Sequence, residues 1–393
     1  MLPTLAFELA APARIVFGAG STARLGGLAA ELGTRALVVT GRSRARAATA
    51  TSRLTEAGMA VTVFTVAGEP TIDTARAGVA AGRAAGADVV VGFGGGSALD
   101  AAKAIAVLLA NPGDPIDYLE VVGRGQPLAR GPLPCIAVPT TAGTGSEVTR
   151  NAVLASPEHR VKASLRSPLM LPRLAIVDPD LLEHLPAEVI ASSGLDALSQ
   201  LIEPFVSLRA NPFTDALARE GIRRSLAALP AAYRAARAGA GVAPADREAL
   251  AVASLFGGLC LANAGLGAVH GFAAPVGGMF DAPHGAVCAA LLVPVLETNL
   301  AALRERAPGG PALARYAELG ALLCGRAGGG IEEGIQRVAD LVTSLEVPRL
   351  GRHGMTEADL EPLVAKARVA SSMKGNPIPL TDDELMRIAA DAL

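Results

Sequence analysis

The chain has 393 residues, 51% of them apolar and 18% charged, enough to bury a large core and too apolar for a disordered chain. Its net charge of -2 leaves no basic excess for nucleic acid or an anionic membrane surface. A single core stops growing near ~250–300 residues, so this length favours two domains.

The first half alternates strand and helix signals. IVFGAG (15–20) is a strand entering a glycine turn, and RALVVTG (35–41) is a short apolar run ending in glycine. Residues 44–58 are helical in pattern, MAVTVFTVAG (59–68) is a strand, and 72–86 is an alanine-rich helix. ADVVVGFGGG (87–96) is a strand, SALDAAKAIAVLLAN (97–111) a helix, PCIAVPTT (134–141) a strand, and LAIVDPDLL (174–182) the last strand. Short apolar strands between helices predict a parallel sheet covered on both faces. From about residue 187 the spacing becomes helical: 187–207, 212–236, 245–265, 285–303, 311–326, 331–345, 357–371 and 382–392, with breaks at the Pro and Gly clusters 306–311 and 375–379. The expectation is an α/β domain at 1–185 and an all-helical domain at 186–393, with residues 238–246 as a surface loop.

Residues 249–280 lack Asp, Glu, Lys and Arg over a length that could span a bilayer. They are rich in glycine, contain Asn263, His270 and Pro275, and have no flanking basic cluster or aromatic belt. Two helices buried in a soluble bundle are therefore expected. The cysteines (Cys135, Cys260, Cys288 and Cys324) are widely spaced, with no CxxC, and read as reduced core residues of a cytosolic protein. The N-terminal stretch has no basic segment followed by a long apolar one, so no signal peptide is expected and the cytoplasm is the expected location.

Two glycine turns carry the first chemistry. In GFGGGSALDAAK (92–103), Gly94, Gly95, Gly96 and Ser97 join a strand to a helix whose free N–H groups and dipole suit a phosphate. The pattern is neither G-x-G-x-x-G nor a Walker A motif, and a plain tight turn explains it equally well. PTTAGTGSEVT (139–149) surrounds Gly143 and Gly145 with Thr140, Thr141, Thr144 and Ser146, again after a strand. Polar turns at the ends of neighbouring parallel strands are where open α/β sheets bind ligands. At GRSRAR (41–46), an acidic residue would select NAD by binding the ribose 2′-OH. Gly41, Arg42, Ser43 and Arg44 stand there instead and would admit a 2′-phosphate, unless the segment is only a solvated basic helix start.

The metal signal is a constellation. Asp196 and Gln200 in GLDALSQLIE (194–203) lie four apart and share a helix face. His270 and His284 are two of only five histidines and fall in one apolar stretch. Together they offer an O,O,N,N set for Fe²⁺ or Zn²⁺, with buried hydrogen-bonded histidines as the simpler reading.

At this point the residues resemble the iron-containing (group III) alcohol dehydrogenases. The matching stretches are FGAGS (17–21), GGGSALDAAK (94–103), PTTAGTGSEVT (139–149), DP (178–179), GLDALSQLIEPFVS (194–207), GAVHGFAAPVGGMFDAPHG (267–285) and NPIPLTDDEL (376–385). The resemblance implies an N-terminal nucleotide-binding α/β domain, a helical C-terminal domain, NAD or NADP, one divalent metal in the cleft, and a dimer. It places Gly94, Gly95, Gly96, Ser97 and Asp100 at the diphosphate turn, Thr140, Thr141 and Thr144 in a second cofactor loop, and Lys162 near the ribose. Asp196, His270 and His284 match three metal ligands. The fourth is usually histidine, and this chain has Gln200, expected to bind through its amide oxygen. A further family histidine near the nicotinamide is Ala274 here, so the proton must pass through ribose hydroxyls, water or another group.

The function expected is a cytosolic, metal-dependent alcohol dehydrogenase/aldehyde reductase. Its substrate would be a small alcohol or aldehyde, since the cleft candidates Phe256, Leu261, Met279 and Phe280 are apolar. The alternatives are a metal-independent reductase resembling maleylacetate reductases, a lyase resembling dehydroquinate synthases, and a nucleotide-binding protein without turnover. Gln200 favours the first alternative; the surviving Asp196, His270 and His284 oppose it. The second needs a Lys/Arg-rich site, and the helical half shows none beside its histidines.

Overall fold

The structure, a computed structural model, describes residues 6–280 and 282–393, and leaves the side chain of Arg44 undescribed. Among the described residues, strands β1 (Ile15–Phe17), β2 (Arg35–Thr40), β3 (Ala60–Thr65), β4 (Val89–Gly94) and β5 (Cys135–Pro139) lie in the first part of the chain. The β6 (Asn151–Ser156), β7 (Val161–Arg166) and β8 (Leu174–Val177) strands follow. Helices α1 (Leu25–Ala30), α2 (Arg44–Glu56), α3 (Ile72–Ala84), α4 (Gly96–Ala110) and α5 (Pro115–Tyr118) lie among them.

Six strands form one parallel sheet in the order β1-β8-β5-β4-β2-β3. These are the six apolar runs expected from the sequence. Each residue of β4 and β5 is buried, because helices cover both faces and a two-sided sheet leaves no polar side. The helix α4 lies close on β4: a Cβ at Gly92 would come 2.9 Å from Cβ of Ala102. From β2 the chain runs outward to β3; from β4 it runs the other way to β5. The order therefore reverses between β2 and β4, and the crevice at their C-terminal ends is where such sheets take ligands. Both Gly41 and the Gly94–Gly96 turn sit there.

The β6–β7 antiparallel hairpin was not among the expected strands. Its buried positions, Ala152, Leu154, Ser156, Ala163 and Leu165, alternate as they should, but alanine and serine give that alternation little apolar contrast.

The remaining chain is helical: α6 (Ala187–Val206), α7 (Pro212–Arg237), α8 (Pro244–Ala264), α9 (Ala268–Met279), α10 (His284–Arg306), α11 (Pro311–Cys324), α12 (Ile331–Ser344), α13 (Leu360–Arg368) and α14 (Asp382–Ala392). The centre of the bundle is α6, buried along nearly its whole length between α7, α8 and α10. The uncharged stretch 249–280 forms α8 and α9, which meet at 99°. The break needs Gly265, at φ +68°, and Gly267, where a Cβ would lie 3.0 Å from both Glu203 and Asn376. That sharp turn brings His270, on α9, back against α6. By length and composition α10 could also span a bilayer, and 72% of its most apolar window is buried in the protein. Ala142, Val148, Ala175 and Val177, from the sheet side, join the same apolar core as the helices.

Candidate metal centre and cofactor cleft

Asp196, Gln200 and Glu203 fall at i, i+4 and i+7 on α6, one stripe of a helix. All three are buried. Across from them His270 sits in the first turn of α9. Its Nδ1 lies 2.6 Å from Oε2 of Glu203, and its Nε2 lies 3.2 Å from Oδ1 of Asp196. The other oxygen of Glu203 accepts the N–H of Val269 at 2.7 Å, so one carboxylate caps α9 and fixes the imidazole. With Nδ1–H donating to Glu203, Nε2 is the nitrogen turned toward Asp196, and it can serve a metal once it gives up its proton.

The third group is at the start of α10. Nε2 of His284 lies 3.8 Å from Oδ1 of Asp196. Cys288, one turn further along α10, places its sulfur 3.7 Å from Nε2 of both histidines. Ligand atoms of Asp196, His270, His284 and Cys288 all lie within 4.8 Å of one another. Three of these residues are buried, and His284 is the one with a partly exposed side chain, at 35%. The centre therefore opens on its His284 side.

The electrostatics suit a cation. Burial alone would raise the Asp196 carboxyl, but the bond from His270, the nearby His284 and the bond from Gln200 hold it down, at about 2. Burial opposes charge on His270, yet Cys288, Glu203 and Asp196 outweigh it and keep its pKa well above the ordinary imidazole value. The same sulfur, then Asp196, raises His284 against its own burial. Four converging donor groups, one of them an ionised carboxylate, are what a divalent ion needs, and one buried acceptor, Oε1 of Gln200, has no partner. The residues present fit a metal.

The cofactor candidates converge from the other side. A Cβ at Gly95 would lie 3.2 Å from Oγ1 of Thr141, and one at Gly96 would lie 2.7 Å from Cγ2 of Thr144. The N–H of Thr140 donates to the carbonyl of Gly94 at 2.9 Å. The two turns thus form one surface. A Cβ on Gly94 would be 3.6 Å from the Gly41 nitrogen, which places the end of β2 beside them. Side chains at Gly95 or Gly96 would fill the place between the turns, so glycine is required there. Gly143 packs on Ser193, one turn before Asp196, and Gly145 packs on Gly258 of α8. These contacts lock the second turn onto α6, which carries Asp196 and Gln200, and onto α8.

Other candidates are placed differently. Asp100 accepts from Ser146 Oγ at 2.5 Å and from the N–H of Val153 at 2.9 Å, with the ammonium of Lys103 3.2 Å away. Its carboxylate ties α4 to the second turn and does not face the crevice freely. Lys162 is nearly buried, pairs with Glu69 at 2.5 Å, and lies against Gly277 of α9. Arg42 is exposed and donates to the carbonyl of Ala67; Ser43 precedes α2 without a side-chain cap bond, and Ser97 occupies the first turn of α4. Ala274 lies one turn beyond His270 on α9.

The sequence reading passed over two residues of this centre. Cys288 was placed with the other buried thiols, although His284 and Cys288 show the i, i+4 spacing that puts both on one helix face. Glu203 extends the Asp196–Gln200 stripe by one turn, and that signal too was in the sequence.

The pattern of iron-containing alcohol dehydrogenases matches residues 12–179, and that of the Fe-containing alcohol dehydrogenase family's C-terminal part matches 190–393. The chain belongs to the iron-containing alcohol dehydrogenase family. It is 34% identical over 345 residues to alcohol dehydrogenase 4 of Saccharomyces cerevisiae (strain YJM789), covering 86% of this chain and 85% of that one. It superposes on the crystal structure of a 1,3-propanediol oxidoreductase with a TM-score of 0.89 at 32% identity, over 99% of this chain and 100% of the other. A sulfoacetaldehyde reductase from Bifidobacterium kashiwanohense, solved in complex with NAD+, gives a TM-score of 0.85 at 28% identity over 99% of both chains. The protein is an alcohol dehydrogenase, an oxidoreductase acting on CH–OH groups.

Proposed function

We propose that this member of the iron-containing alcohol dehydrogenase family interconverts a small alcohol and its aldehyde, using one divalent metal and NAD or NADP. The observation that carries the reading is the contact between the two constellations. Gly143 of the second cofactor turn packs on Ser193, three residues before Asp196, so the nucleotide crevice and the metal candidates share α6. A metal-free reductase has no use for Asp196, His270, His284 and Cys288 converging in the protein interior.

Each residue has a part that follows from its placement. Asp196, His270 and His284 hold the metal, and Glu203 fixes the His270 ring so that Nε2 faces the centre. A bound metal would supply Lewis acidity for an alcohol or carbonyl oxygen, and a bound nicotinamide would supply the hydride chemistry. The Gly94–Gly96 turn and the N-terminus of α4 accept the diphosphate, and Thr140, Thr141 and Thr144 line the approach to α6. Phe256, Met279 and Phe280, half-buried against the helical core, are the apolar candidates for contact with a short carbon chain.

The reading is tested by following NADH and NADPH absorbance at 340 nm with a panel of short aldehydes. Oxidation of either coenzyme with at least one aldehyde is expected. Nucleotide binding without turnover across the panel would show a binding protein and sink the proposal.

A further inference from the structure

We propose that Cys288, bound as thiolate, and not Gln200 is the fourth metal ligand, and that the centre therefore holds zinc in preference to iron. The inference rests on the metal-dependent reading above.

The distances support a four-coordinate centre that includes sulfur. A tetrahedral ion with bonds of roughly 2.0–2.3 Å to N, O and S needs ligand-to-ligand edges of roughly 3.3–3.6 Å. Four edges of the cluster measure 3.2 Å (His270–Asp196), 3.8 Å (His284–Asp196), 3.7 Å (Cys288–His270) and 3.7 Å (Cys288–His284). These four edges lie within a few tenths of an ångström of that range, and the remaining two are under 4.8 Å. Among the described residues, the hydrogen-bond contacts of the sulfur are the two imidazole nitrogens.

Gln200 is the competing fourth ligand. It shares the α6 stripe with Asp196, one turn further along. Its carbonyl oxygen is buried and unpartnered, so it remains the alternative donor that the experiment must separate. Thiolate is a soft donor that favours zinc over iron in a site of this kind, while a neutral amide oxygen has no such bias.

The test is cobalt substitution of the full-length protein. Metal-free protein is titrated anaerobically with Co²⁺, and the near-ultraviolet spectrum is recorded for wild type, Cys288→Ser and Gln200→Ala. Wild type and Gln200→Ala are expected to show an intense sulfur-to-cobalt charge-transfer band. Cys288→Ser is expected to lack the band while keeping the weaker visible bands of bound cobalt. In a second arm, equimolar Zn²⁺ and Fe²⁺ compete anaerobically, and metal content is measured. The zinc-to-iron ratio is expected to fall at least tenfold in Cys288→Ser. Stoichiometric cobalt in wild type without the charge-transfer band would overturn the assignment of sulfur and leave the metal-dependent reading standing. An unchanged zinc-to-iron ratio in Cys288→Ser would overturn the zinc preference. No metal bound to wild type at all would overturn both. The wild-type spectrum alone decides the ligand, so a poorly folded variant does not rescue the proposal.

Discussion

Asp196 and His270 illustrate how few atoms define this centre. The carboxylate of Asp196 faces two imidazole nitrogens, and Glu203 holds the far nitrogen of His270 at 2.6 Å. Replacing Glu203 with Gln keeps the shape but removes the charge behind the imidazole. Metal affinity is expected to fall by about 10–100-fold with the fold intact, measured by competition with a chromophoric chelator. An unchanged affinity would mean that Glu203 serves only to cap α9. Asp196, Gln200, His270 and His284 stood out in the sequence because charged and imidazole groups are rare in apolar helices. Cys288 and Glu203 did not. A buried thiol resembles any small apolar residue, and a lone glutamate in a helix resembles a surface charge until a partner is seen across from it.

The turns and strand ends show the same division. Apolar runs between glycine punctuation made the six strands of the main sheet readable, and the loss of β-branched runs made the helical half readable from residue 187, where α6 begins. The β6–β7 hairpin was hidden by its alanine and serine content, and the 99° turn between α8 and α9 depends on contacts made far away in sequence. Gly145 holds the second turn against α8 at φ +59°, where a Cβ would be 2.4 Å from Cα of Gly258. Gly145→Ala is expected to destabilise the protein by about 1–3 kcal/mol through overpacking, read from the denaturant midpoint. At the end of β2, Gly41 leaves room where a carboxylate would repel a 2′-phosphate. Gly41→Asp is expected to lower kcat/KM for NADPH by about tenfold or more, the cost of placing like charges together, while NADH use is maintained. Equal loss with both coenzymes would remove Gly41 from the ribose site.

The sheet and the bundle are joined through one core, to which Ala142, Val148, Ala175 and Val177 contribute from the sheet side. Glu147 is buried at this junction. Burial raises its carboxyl to about 7 against the pull of its own backbone bond and of Lys103. The folded protein therefore keeps a proton that the unfolded chain releases near its ordinary value of 4.5. That contribution to stability is complete below the unfolded pKa, declines as pH rises, and is gone above the folded pKa. Melting temperatures from pH 4.5 to 8 are expected to fall less steeply for Glu147→Gln than for wild type; identical slopes would mean that Glu147 is ionised inside the fold. The architecture serves one claim, that a metal beside a nucleotide crevice makes this chain a dehydrogenase. The direct measurement is coenzyme turnover with aldehyde by protein stripped of metal, verified by elemental analysis, and then reconstituted with Zn²⁺ or Fe²⁺. Loss of turnover on stripping and its return on adding metal is the predicted result. Full turnover by the verified metal-free protein would contradict it.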